Sequence, residues 1–243
     1  LFFSNIGPSN FGNIGSSPPG FIVRGDLTKD QTLLRDNIFL ANKGNFQFED
    51  VAKKTMTADY EFGWGVIFQD FTNDGMQDLV IAQNYIGFPL HKLLRLPGRV
   101  LKELPDLTYA SIEKQAHAED PYYAISPLST DLTGNGYPDL LYTNLNGPLK
   151  VFLNTKGGTN NYIKLQMPYS PEALGAVIKL KFKNGKVLTR FFVPTQGLCS
   201  YQGNQITLGL GTEKEVESIS VHYMNGDNKI FTNPTINTTL RIK

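Results

Sequence analysis

Residues 70–79 read DFTNDGMQDL, and the fold turns on how this stretch is read. Three carboxylates, Asp70, Asp74 and Asp78, crowd around one glycine, Gly75, before the chain runs into Leu79, Val80 and Ile81. The side-chain oxygens of Asp70, Thr72 and Asp74 stand at alternate positions. Gly75 permits a sharp turn, the Met76 carbonyl takes the seventh place and Asp78 the ninth. This suits a hard cation that wants about 6–8 oxygen ligands, and calcium is the natural candidate. Zinc would ask for nitrogen or sulfur, and magnesium for a tighter octahedron that keeps its water. An EF-hand would need a glutamate at the twelfth place between two helices, but that place holds Ile81 in an expected strand. The stretch therefore predicts a calcium loop of the hairpin type, with Asp70, Thr72, Asp74, Met76 and Asp78 as ligands. The plainer reading is a tight turn whose short polar side chains bond the nearby backbone, and it leaves three crowded carboxylates uncompensated.

A second stretch, DLTGNGYPDL at 131–140, repeats the pattern 61 residues further on, from Asp70 to Asp131. It offers Asp131, Thr133, Asn135, the Tyr137 carbonyl and Asp139. With two formal charges instead of three it should hold calcium more weakly, so the expectation is one or two ions per chain. The flanks repeat as well. Residues 62–70 (FGWGVIFQD) and 123–131 (YAISPLSTD) lead into the loops, while 79–87 (LVIAQNYIG) and 140–148 (LLYTNLNGP) follow them. The opening LFFSNIGP fits the same following slot. Residues 37–51 read as strand, Asn/Gly turn and strand, and 148–154 repeat the first half of that unit. A period of this size suggests blades of several strands. A closed propeller takes ~4–8 blades, so missing N-terminal blades, or a companion chain, are expected at the edge formed by residues 1–8.

Near Gly157 and Gly158 the period stops. Residues 176–182 (AVIKLKF) alternate in and out, Lys183-Asn-Gly-Lys186 is a two-residue hairpin turn, and 187–193 (VLTRFFV) return. Strands are also expected around 206–208, 219–223 and 239–242, with Gly209-Leu-Gly211 as a strand-end turn. The predicted organisation is all-β: a partial β-propeller over residues 1–158, then a small β-sandwich or barrel over 159–243.

The two loops resemble the calcium loops of FG-GAP (VCBS) repeats, seen in integrin-type propellers, and Phe62-Gly-Trp-Gly65 fits the approach to such a loop. The C-terminal part resembles the ASPIC/UnbV domain that follows these repeats in the cartilage acidic protein family and its bacterial relatives. Leu174-Gly-Ala-Val-Ile178, Gly197-Leu-Cys-Ser-Tyr-Gln202, Leu208-Gly-Leu-Gly211 and Val221-His-Tyr-Met-Asn-Gly226 carry that resemblance. Thr72, Thr133 and Asn135 depart from the usual acidic ligands, and a usual Trp-Pro is missing near 223. The resemblance implies a secreted, extracellular or periplasmic calcium-stabilised propeller, with a β domain of unsettled role and no catalytic residues.

The rest of the sequence narrows the function. Lys plus Arg number 23 against 22 Asp plus Glu, a net +1, which gives no basic field for nucleic acid. No apolar run reaches the ~18 residues of a spanning helix. Cys199 is the one cysteine, so no internal disulfide forms. His91, His117 and His222 stand in no zinc or nucleophile spacing. The basic alternation His91, Lys92, Arg95, Arg99 and Lys102 reads as the solvent side of a strand pair or as a docking surface. Asn237-Thr-Thr239 is a glycosylation sequon, and Tyr122-Tyr123 could stack on sugars. The expected function is non-enzymatic: a binding scaffold presenting a propeller face to a protein or glycan partner. An accessory subunit of a larger assembly, or an enzyme whose catalytic groups lie outside this sequence, are the alternatives.

Overall fold

The computed structural model describes residues 1–4, 37–60, 63–84, 97–155 and 158–242. Every regular element among them is a strand except one short 3-10 turn, Pro171–Ala173. The class is therefore all-β, laid out as five separate open sheets.

Strands β1 (Phe2–Phe3), β2 (Ile38–Gly44) and β3 (Gln47–Asp50) form the first sheet. The β2–β3 hairpin turns at Asn45 and Phe46, both with positive φ, as a tight primed turn requires. Strands β4 (Gly63–Gln69), β5 (Asp78–Gln83), β6 (Arg99–Glu103) and β7 (Tyr109–Ser111) form a four-stranded meander in chain order. In β4 burial follows the two-residue period, with Gly63, Gly65 and Ile67 inward, whereas β5 is buried on both faces. Strands β8 (Ala124–Thr130), β9 (Asp139–Asn144) and β10 (Lys150–Phe152) form the third sheet.

The 61-residue repeat is exact at the level of strands: β4 and β8 start at 63 and 124, and β5 and β9 at 78 and 139. Of the basic stretch, Arg99 turns inward to pair with the buried Glu113 at 2.7 Å. His91, Lys92 and Arg95 lie outside the described residues.

The remaining strands are β11 (Asn161–Gln166), β12 (Val177–Phe182), β13 (Val187–Phe191), β14 (Gln205–Gly211), β15 (Val216–His222), β16 (Asn228–Thr232) and β17 (Thr238–Arg241). They make two sheets, ordered β14-β11-β17 and β13-β12-β15-β16. β12 alternates strictly, sending Ile178, Leu180 and Phe182 inward and Lys179 and Lys181 outward. The Asn184-Gly185 turn pairs Lys181 with Val187, with Gly185 at φ +86. Ile163 and Leu165 from the three-stranded sheet join Ile178, Leu180 and Ile219 from the four-stranded one in a single core. This is a β-sandwich, and each such side chain contributes roughly 1.5–3 kcal/mol by leaving water.

One expectation fails locally. Gly209 is not a strand-end turn but lies inside β14, which continues to Gly211. The glycine is there because a Cβ at Gly209 would meet Asp70 Oδ2 at 2.1 Å and Asn73 backbone at 2.6 Å.

The chain packs as two compact units. One comprises Leu1–Ile67, Leu79–Pro127 and Tyr142–Lys150; the other comprises Phe68–Asp78, Leu128–Leu141 and Val151–Lys243. By packing, both acidic loops belong with the C-terminal sandwich.

Candidate functional site

The two loops fold by the same rules. Asp70 opens the first, its Oδ1 accepting from the Asp74 amide at 3.1 Å and its Oδ2 from the Gly75 amide at 2.8 Å. In the second, Asp131 Oδ1 accepts from the Asn135 amide at 3.2 Å and Oδ2 from the Gly136 amide at 2.8 Å. Asp78 Oδ2 takes the Phe71 amide at 3.2 Å, and Asp139 Oδ2 takes the Leu132 amide at 2.7 Å. At the fifth places, Asp74 Oδ1 takes the Met76 amide and Asn135 Oδ1 the Tyr137 amide. Asn73 and Gly134 occupy the left-handed region at equivalent places, as do Gly75 and Gly136. Short acidic side chains thus satisfy the amides that a sharp turn strips of backbone partners.

The loops also touch each other: Asn73 Nδ2 donates to the Gly136 carbonyl at 3.1 Å. Asn154 ties both together, donating through Nδ2 to the Phe71 carbonyl at 2.8 Å and through its amide to Asp139 Oδ1 at 2.6 Å. Asn160 Nδ2 holds the Thr72 carbonyl at 3.0 Å.

The sandwich grips these loops through several side chains. Arg190 donates to the Gly75 carbonyl at 2.6 Å, and the Gly211 amide to the Asn73 carbonyl at 2.8 Å. From the 194–204 segment, Gln196 Oε1 accepts the Phe68 amide at 2.8 Å and Gln202 Oε1 the Ser129 amide at 2.9 Å. Phe68 and Ser129 are themselves repeat-equivalent positions, so two glutamines cap the same place in two successive units. Gln202 falls in the stretch that carries the C-terminal resemblance, and Gln196 just precedes it. The 61-residue offset equates Phe68 with Ser129, but which residues meet them, 128 and 73 positions further on, is set by tertiary packing alone.

Electrostatics separate the loops. Burial pushes the Asp70 carboxyl up to about 7, outweighing the Gly75 amide, with the nearby charges of Asp74 and Asp78 adding to the rise. At Asp131 burial pushes the same way, but the Lys164 hydrogen bond and the Gly136 amide more than offset it, and its carboxyl titrates below the usual aspartate range. Lys164, on β11, forms a close ion pair with Asp131 Oδ2. The first loop fits calcium in the chemistry of its donors: oxygen only, strongly anionic, with a buried carboxylate that the charge of Arg190 compensates only in part. It is not a preformed three-carboxylate cage. Among the described residues no three His, Cys, Asp or Glu side chains cluster as a metal site. Coordination there would draw on the Thr72 hydroxyl and Met76 carbonyl beside the aspartates.

The other residues singled out stand elsewhere. His117 is exposed, His222 Nε2 lies 3.1 Å from Ser220 Oγ, and Cys199 is an exposed free thiol at φ 50.

A β-sandwich fastened to two repeated acidic loops is the class of structure these observations define. Residues 168–243 match the family described as ASPIC and UnbV, so the C-terminal sandwich is similar to the domains of that family. The matched residues start after β11, and the acidic loops lie outside them. No match was found among curated proteins. Among the described residues no helix is long and apolar enough to cross a membrane.

Proposed function

We propose that this chain is a non-catalytic, calcium-stabilised binding scaffold of the cell exterior or periplasm. Its three N-terminal sheets are blades of an FG-GAP-type propeller completed by further blades or by a companion chain. The acidic loop at 70–78 takes a calcium ion through Asp70, Thr72, Asp74, Met76 and Asp78, and the ion stiffens the turn that β14 and Arg190 rest against. A surface held in this way meets a protein or glycan partner without ordering cost at the moment of binding.

The observation that carries the reading is the buried Asp70 carboxylate, whose neighbours Asp74 and Asp78 raise its pKa further. Such a group is stabilised by an added cation and destabilised without one. An ion that binds only the folded chain raises its stability by RT ln(1 + [L]/Kd), so the melting temperature should rise steadily with free calcium. The test is thermal unfolding of the full chain in EDTA and in millimolar calcium, with D74N/D78N as the control. Equal melting temperatures in the two buffers would sink the proposal. Magnesium matching calcium at equal concentration would reassign the ion.

A further inference from the structure

The sequence assigns both loops the same kind of chemistry, but the structure sets different cations against them, Arg190 on the Gly75 carbonyl of the first and Lys164 directly on a carboxylate of the second. β11 carries Tyr162 and Lys164 two residues apart, and therefore on one face of the strand, while Ile163 and Leu165 on the other face enter the sandwich core. The outer face is laid against the second loop. A Cβ on Gly136 would fall 2.0 Å from the Tyr162 ring, so the ring seats directly on that glycine. Beside it the Lys164 ammonium, 5.4 Å from the centre of the Tyr162 ring, reaches Asp131 Oδ2. Lys164 is 8% exposed, and the Asp131 side chain 3%.

The remaining oxygens of this loop are engaged too. Asp131 Oδ1 accepts from the Gly134 amide at 2.8 Å, and both Asp139 oxygens accept backbone amides. Asn135 turns its oxygen to the Tyr137 amide and its nitrogen to the Asn154 carbonyl. The amide bonds are common to both loops, so what sets this one apart is that a calcium ion entering here would have to displace the buried Lys164 ammonium.

We infer that Lys164 is the built-in cation of the second loop: its ammonium neutralises Asp131 from within the chain, so this loop binds no metal and acts as a clasp between the repeat and β11. The inference rests on the same loop geometry as the calcium reading and restricts that reading to the 70–78 loop.

Two measurements on the full chain test it. The first is a calorimetric titration with calcium, repeated with terbium luminescence, on the wild type, D131N and D74N/D78N. D131N should leave the number of ions bound unchanged; a second equivalent in the wild type that D131N removes would overturn the inference. The second is a melting cycle in EDTA. Removing one partner of a buried ion pair leaves the other uncompensated, so K164M and D131N should each lower the melting temperature by roughly 5–10 °C. K164R, which keeps the charge, should lower it less than K164M. The double variant D131N/K164M should melt well above the sum of the two losses. Additive losses would overturn the inference as surely as a second ion. If K164M does not fold, the ion count on the wild type and D131N still decides the first readout, and a D131N/K164M double variant that folds where K164M does not shows the coupling; one that also fails to fold counts against it. A wild type that binds no calcium defeats the calcium reading alone, because the cycle in EDTA judges Lys164 without metal.

Discussion

Asp70 and Asp131 occupy the same place in the same turn and bond equivalent amides, yet their acidities move in opposite directions. Position in the turn is common to both, so the difference comes from their surroundings: at Asp70 burial outweighs every compensating group, Arg190 included, and Asp74 and Asp78 add to the rise, whereas at Asp131 Lys164 and the Gly136 amide more than offset burial. The Asp70 shift has a definite sign for stability. An unfolded aspartate titrates near 3.8 and the folded one at about 7. Below the lower value both states hold the proton and burial costs nothing. Between the two, the unfolded chain releases a proton that the folded chain keeps, so stability falls as pH rises from about 4 to about 7 and levels off above. The full effect is on the order of 4 kcal/mol. In EDTA, melting temperature should therefore decline across this window for the wild type, and D70N should flatten the decline. Matching pH profiles for the two proteins would show that Asp70 is already compensated.

At the scale of elements, the glutamine caps explain how the sandwich recognises the repeats. β4 and β8 each lie at the end of their sheet's strand order, and an end strand presents backbone groups on its open side. Gln196 and Gln202 meet one such amide on each, while Gln202 Nε2 donates to the Gln196 carbonyl at 3.0 Å, fixing the two caps to one another. Replacing Gln202 by alanine strips the Ser129 amide of this acceptor, with an expected loss of about 1–3 kcal/mol in urea unfolding. Replacing both glutamines should cost about the sum of the two single losses, because each caps a different amide and the bond between them uses the Gln196 backbone carbonyl, which alanine keeps. What could be read ahead of structure follows from locality. The β12–β13 hairpin was legible because alternation and an Asn-Gly turn lie within one short stretch, and β4, β5, β8 and β9 because the repeat doubles a weak signal. Lys164 was not, since a lysine in NYIKLQ reads as the wet face of a strand and its partner stands 33 residues away. Gly209 misled for the same reason: glycine spells a turn locally, and only Asp70 and Asn73 packing on it say otherwise.

For the whole molecule, the grouping of loops 68–78 and 128–141 with residues 151–243 says that the sandwich is not a free-standing appendage. Its own core, from Ile163 to Ile242, is large enough to hold two sheets together. What the loops add is a set of partners: Tyr162, Lys164, Arg190, Gln196, Gln202 and Gly209 each meet a residue before 140. A fragment of residues 159–243 should therefore fold as a sandwich but melt below the corresponding transition of the full chain. Substitutions should then change meaning with context. L180A empties a fully buried core site and should cost about 2–5 kcal/mol in fragment and full chain alike. K164M should be nearly silent in the fragment, where Asp131 is absent, and damaging in the full chain. Urea unfolding of the four proteins decides the matter: if K164M weakens the fragment as much as the full chain, Lys164 serves the sandwich itself, and the packing of loops onto β11 contributes no stability of its own.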